Sequence, residues 1–249
     1  MGHSAPPDRY AQAVSERLPV FPLGTVLFPG LVLPLHIFEE RYRTLVRELV
    51  ARTDELPHEF GVVTLRHGWE AESPDGLPER PAKDSPVEIE HLHEVGCTAE
   101  LRQVNELPDG RFDIVTVGRR RFRVLAVEGG SAPYLTAEIE WLPDDAAADE
   151  FAMLLAPRVL AVFRTYLDLL RPDTDALDQV PDDPTVLSHL IAATAQLTVE
   201  ERQLLLAAPN TATRLRTELK LLNREVGLLA QIRAVPVPLS DLARPVNPN

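Results

Sequence analysis

The stretch LPVFPLGTVLFPGLVLPLHIFEERYRTLVREL, Leu18 to Leu49, decides the fold. It holds an apolar run from Leu18 to Phe21, a turn punctuated by Pro22, Gly24, Pro29 and Gly30 around Val26 to Phe28, and a second apolar run from Leu31 to Ile37. Both runs read as strands. Pro34 marks the second as an edge strand or a bulge, because proline has no N–H to give to a sheet ladder. From Phe38 the period changes: Phe38, Tyr42, Leu45, Val46 and Leu49 recur at helical spacing, with Glu39, Arg43 and Arg47 on the other side. The Glu39–Arg43 pair at i, i+4 is worth about 0.3–0.5 kcal/mol, so the apolar stripe supplies most of the docking.

Working outward, Phe60 to Arg66 reads as a strand, and the polar, proline-rich stretch from His67 to about Val87 as a surface loop. His91 to Val104 resumes the strand pattern. Pro108, Asp109 and Gly110 supply turn chemistry that folds it back onto Arg111 to Val117, and Arg121 to Val127 continues the meander. Tyr134 to Trp141 alternates, with Leu135, Ala137, Ile139 and Trp141 on one face. Beyond Pro143 the period becomes 3.6. Phe151 to Leu170 forms a long helical pattern that Pro157 is expected to kink or split. Asp183–Pro184 is an N-cap and N1 pair, and Thr198 with Glu201 is a capping box. Leu215, Leu219, Leu222, Val226 and Leu229 then form a heptad-like seam on a helix from about Asn210 to Arg233. Such a seam is either an intramolecular core or a dimer face.

The expected organisation is a frayed leader over 1–17, a mixed β domain over 18–142, a helical bundle over 143–234 and a disordered tail over 235–249. At 249 residues the chain can bury a substantial core. Its formal charge of −13, with lysine only at Lys83 and Lys220, argues against nucleic-acid binding, which draws on cations displacing counterions. No run approaches the ~18 apolar residues of a membrane span, and the N-terminus lacks a secretory pattern. A cytoplasmic location without a membrane partner follows. Cys97 is the single cysteine, so no intrachain disulfide forms.

Common catalytic patterns fail by spacing. Neither lysine follows a glycine, as a Walker loop requires, and His58-Glu59 and His93-Glu94 meet Val62 and Cys97 where a zincin needs histidine. No G-x-S-x-G elbow occurs. His91, His93 and Cys97 share strand parity, but a small buried cysteine and strand-end imidazoles account for them, and neither metal nor cofactor is expected. The dense basic run is Arg119, Arg120, Arg121 and Arg123. Alternation would send Arg119, Arg121 and Arg123 to one side, where they would either bind an anion or pair with neighbouring glutamates.

The opening stretch resembles the start of the Lon N-terminal, or substrate-binding, domain family, whose motif has the form LPLFPL-x-x-VLFPG-x-x-LPLHIFE-x-RYR. The resemblance continues through FGVV at Phe60, HEVGCTAEL at His93, GRRRFRV at Gly118 and LTVEERQLLLAAPNTATRLRTELKLLNREVGLL at Leu197. Glu40 stands where members frequently carry proline, implying a helix one turn longer. The resemblance implies an α+β fold, a PUA-like pseudo-barrel followed by a helical bundle, in a stand-alone bacterial member without ATPase and protease domains. It implies a non-enzymatic module for unfolded or hydrophobic protein segments, as monomer or homodimer, working beside proteolytic machinery. Phe21, Phe28, Leu33, Ile37, Phe38 and Tyr42 are the candidate peptide contacts. The alternative is a small-molecule or anion sensor with a pocket between β domain and bundle, using Arg119, Arg121 and Arg123.

Overall fold

The computed structural model describes residues 16–52, 57–66, 71–72, 78–79, 89–130, 132–143, 150–170 and 181–233. The tail, the leader up to residue 15 and most of the polar stretch after Arg66 lie outside them. The chain splits into two compact units, Met1–Pro143 and Asp144–Asn249.

The first unit contains β1 (Glu16–Leu23), β2 (Val32–Ile37), α1 (Glu40–Val50), β3 (Glu59–Thr64), β4 (Ala71–Glu72), β5 (Pro78–Glu79), β6 (Val95–Glu106), β7 (Phe112–Glu128) and β8 (Leu135–Leu142). β1 starts at Glu16, inside the expected leader. β4 and β5 pair as a two-stranded ladder within the stretch expected to be loop. The other six strands run in the order β2-β7-β6-β3-β1-β8, and β7 also pairs with β8. Five of them therefore close into a ring, while β2 hangs from the side of β7 outside it, so the sheet is not a clean barrel. All pairings are antiparallel except β1 with β3.

β1 tolerates Pro19 and Pro22 because its neighbours are staggered: β8 pairs with Glu16–Val20 and β3 with Val20–Leu23. Leu18, Val20, Val63, Leu92, Phe122, Val124, Ala137 and Ile139 form one core cluster in the ring. The β6–β7 turn is the one that Pro108-Asp109-Gly110 dictates, with Gly110 at φ 77°, where other residues are strained. Asp109 accepts the backbone N–H of Arg111, which with the Arg111 guanidinium lowers its carboxyl pKa. β7 is one continuous strand; the expected break between Val117 and Arg121 is absent.

α1 buries Tyr42, Leu45, Val46 and Leu49, and Tyr42 stacks on Phe21 at 3.7 Å. Glu40 is its first helical residue, with Glu39 as N-cap. A proline at that position would lose only an N–H that the first turn leaves unbonded, so Glu40 does not lengthen the helix as expected. The Tyr134 hydroxyl donates to Glu48 on α1. Desolvation, helped by Glu48, pushes that phenol up to about 12.

The second unit contains α2 (Glu150–Leu170), α3 (Pro184–Thr194), α4 (Val199–Leu206) and α5 (Thr211–Arg233). Pro157 does not split α2, whose stripe of Ala152, Ala156, Val159, Phe163 and Tyr166 is buried and offsets the roughly 3 kcal/mol an interior proline costs. Asp183 accepts from the N–H groups of Thr185 and Val186, and Thr198 and Glu201 close the capping box. Leu215 and Leu222 of the seam are buried with α2 and α3 residues in one core, and Leu219, Val226 and Leu229 pack against it. Arg214 is fully buried, donating from Nε to the Leu205 carbonyl at 3.1 Å and from Nη1 to Ser188 Oγ at 3.0 Å. One turn on, Glu218 is also fully buried, and neither carboxylate oxygen has a hydrogen-bond partner among the described residues. Burial pushes its carboxyl well above the usual range, against the opposing pull of Arg214.

Candidate functional site

The six candidate peptide contacts divide by burial. Phe21, Phe28, Ile37 and Tyr42 are buried, and their apolar bulk serves the core, which corrects the expectation that they form one contact surface. Leu33 is half-buried and Phe38 is 48% exposed, so these two remain at the surface. Both belong to β2 and its exit. Sequence reading missed Val32, 64% exposed, and Leu35, half-buried on the same strand. Period two sends Val32, Pro34 and His36 to one face and Leu33 and Leu35 to the other, and only the one-sided pairing of β2 leaves Val32 and Leu35 accessible.

β2 pairs on one side only, from Val32 opposite Val117 to Ile37 opposite Phe112. Its parity follows from two bonds at its start, where Gly118 donates to the Leu31 carbonyl at 2.8 Å and accepts from the Gly30 N–H at 2.8 Å. The Thr116 hydroxyl also donates to the Leu33 carbonyl at 2.9 Å. The Leu31 carbonyl and the backbone groups of Leu33, Leu35 and Ile37 thus turn toward β7, and Val32, Pro34 and His36 turn theirs away. Among the described residues no strand pairs with that outer side. At Gly118 a Cβ would lie 2.1 Å from the Phe28 carbonyl oxygen, so only glycine lets the turn leading into β2 lie against β7. The far end is held by polar contacts: Arg111 donates to His36 Nε2 at 3.2 Å, leaving Nδ1–H to donate to Asp113 at 2.6 Å.

The arginine run is arranged differently from simple alternation. Cys97 pairs with Arg121 but Ala99 with Gly118, so Arg119 and Arg120 form a bulge opposite Thr98. The Arg120 N–H donates to Thr98 Oγ1 at 3.1 Å. In consequence Arg119, Arg120 and Arg123 are exposed, whereas Arg121 is buried and its Nη2 donates to the Pro143 carbonyl at 3.4 Å. The expectation that Arg119, Arg121 and Arg123 share a face is thereby corrected. Arg119 pairs with Glu100, Arg123 with Glu140 and Arg120 with the buried Glu59, while the Arg120 guanidinium lies 3.6 Å over the Trp141 ring. Pro57, Glu59, Glu100, Arg119 and Arg120 line an open depression in which two carboxylates already face two guanidinium groups. An anion entering it would have to displace them.

A ring of five strands with a lateral apolar strand, carried on the same chain as a helical unit, defines an α+β module that leaves apolar side chains accessible at a sheet edge. Residues 17–224 match the family model of the ATP-dependent protease La (LON) substrate-binding domain, and the chain belongs to that family. It is 30% identical over 217 residues to a Lon protease of Anaeromyxobacter dehalogenans, covering 85% of this chain and 24% of that protein. Lon protease 1 of Thermus thermophilus is 36% identical over 152 residues, covering 59% and 19% respectively. The chain thus spans about a quarter or less of the length of these relatives. Among solved structures, the N-terminal domain of a Mycobacterium avium complex Lon protease superposes with a TM-score of 0.59 at 19% identity, covering 84% of this chain and 98% of that one. A Lon N-terminal domain protein from Xanthomonas campestris gives 0.52 at 24%, covering 82% and 98%. Both likenesses concern the fold. No helix among the described residues is long and apolar enough to cross a membrane.

Proposed function

We propose that this chain is a non-enzymatic recognition module that binds exposed apolar segments of unfolded protein clients in the cytoplasm, beside proteolytic machinery. The observation that carries this reading is the apolar character of the accessible β2 region, Val32, Leu33, Leu35 and Phe38, in a family of substrate-binding domains. Apolar side chains left accessible on both faces of an edge strand favour an apolar partner, since burial stabilises by roughly 25 cal/mol per Å². Anion sensing is the weaker reading, because Arg119, Arg120 and Arg123 each already hold a glutamate.

The test is titration of the full chain against fluorescently labelled, permanently unfolded proteins, such as reduced and carboxymethylated ones, with their folded forms as controls. Saturable binding of the unfolded forms alone is expected. Absence of binding across the panel up to about 100 μM, an affinity of only about 5.5 kcal/mol, would overturn the reading.

A further inference from the structure

We infer that the outer edge of β2 captures its client by adding an extended segment as a further strand, and that Pro34 keeps this pairing weak and reversible. This inference rests on the recognition reading above and specifies its geometry. The outward backbone groups are the N–H and C=O of Val32, the C=O of Pro34, and the N–H and C=O of His36, a spacing set by the ladder on the opposite side. Among the described residues none of these groups has a backbone partner. A row of donors and acceptors repeating every second residue is matched by another extended backbone, in which the same groups recur at the same interval. That chemistry, rather than apolar character alone, commits the occupant to an extended polypeptide.

Side chains agree with it. Leu33 and Leu35 lie on the same face as Thr116 and Ile114, opposite them in the ladder, yet those two are buried while the leucines are half-exposed. The difference arises because β7 is flanked on both sides and β2 on one. A strand laid along the outer edge would cover the leucines with every second side chain, selecting clients with apolar residues in alternation. Pro34 occupies the central outward rung and withholds its donor, so the edge offers three acceptors but two donors. A proline at this place is a common guard against permanent edge-to-edge pairing. Here it leaves enough of the edge for transient capture.

The experiment measures anisotropy of a fluorescein-labelled ten-residue peptide alternating valine with threonine, and of the same peptide N-methylated at four consecutive central residues, with the full-length chain. The unmodified peptide is expected to bind at least about tenfold tighter, since each lost hydrogen bond is worth roughly two- to tenfold. Pro34→Val, which restores the central donor and leaves the inner ladder untouched, is expected to tighten binding about three- to tenfold. His36→Pro removes a second donor and is expected to weaken binding about tenfold. Circular dichroism checks that each variant folds; if His36→Pro does not, Pro34→Val and the methylated peptide carry the test.

Equal affinity for the two peptides together with no change in Pro34→Val overturns strand addition while leaving client recognition standing. Binding of unfolded proteins without any binding of the extended peptide does the same. Sedimentation is run in parallel: self-association of Pro34→Val without a gain in peptide affinity makes a second copy the occupant and overturns the inference. Failure of both peptides and all unfolded proteins removes the recognition reading itself.

Discussion

β1 and β2 are joined by a single loop, both are mainly apolar and both contain proline, yet β1 is built into the ring, pairing with β8 over its first half and with β3 over its second, whereas β2 pairs with β7 alone, outside the ring. In β1 the residues Leu18, Val20 and Phe21 are buried; in β2 only Ile37 is. Composition does not separate them. What does is the place the topology gives each strand, within the closed ring or outside it, so the same kind of side chain is buried in one strand and accessible in the next.

The contrast is tested most severely at Phe28, on the loop between the two strands and fully buried. Phe28→Ala is expected to cost about 3–5 kcal/mol, read from the shift in a urea unfolding midpoint. Gly118→Ala should cost about 1–3 kcal/mol, because its new methyl group must push the Phe28 carbonyl away. It should also weaken peptide binding by displacing the turn that leads into β2; unchanged stability would show that this approach is not tight.

For charge, the same contrast between interior and edge is sharpened by Glu218→Gln. The unfolded chain ionises this carboxyl as pH rises past about 4.5, while the buried group holds its proton to higher pH. Its contribution is therefore neutral below the unfolded-state pKa and destabilising as pH climbs toward the folded-state value. Glu218→Gln should unfold at higher urea than the wild type near neutrality, with the difference closing in acid. The smallest effect is expected at the edge: Val32→Ala should stay within about 0.5 kcal/mol of the wild type.

Local chemistry made much of the fold legible. Pro34 announced an edge, Pro108-Asp109-Gly110 a hairpin, and Asp183, Thr198 and Glu201 the helix starts, because each acts through backbone groups within a few residues. What depended on distant neighbours was hidden. Phe21 and Tyr42 read as surface contacts until their stacking is seen, and the bulge opposite Thr98 reversed the parity assigned to Arg121. Burial of Glu218 had no sequence signal at all, since its position four residues after Arg214 suits an exposed helical ion pair equally well. Of the apolar residues accessible at β2 and its exit, Leu33 and Phe38 were among those read from the sequence, while Val32 and Leu35 emerged only once the pairing of β2 was fixed.

The closed ring also has a consequence in time. β6 and β7 join through a tight turn, but the ring closes where β1 meets β8, and that pairing joins residues more than a hundred positions apart. Loop-closure entropy makes such a contact costly to form early, so the hairpin nucleates and the first strand docks late. In stopped-flow experiments Gly110→Val, which strains the hairpin turn, should chiefly slow refolding, whereas Leu18→Ala on β1 should chiefly hasten unfolding. A chain emerging from the ribosome would hold the first half of β1 unpaired until β8 had been made, leaving the first strand synthesised among the last to find its place.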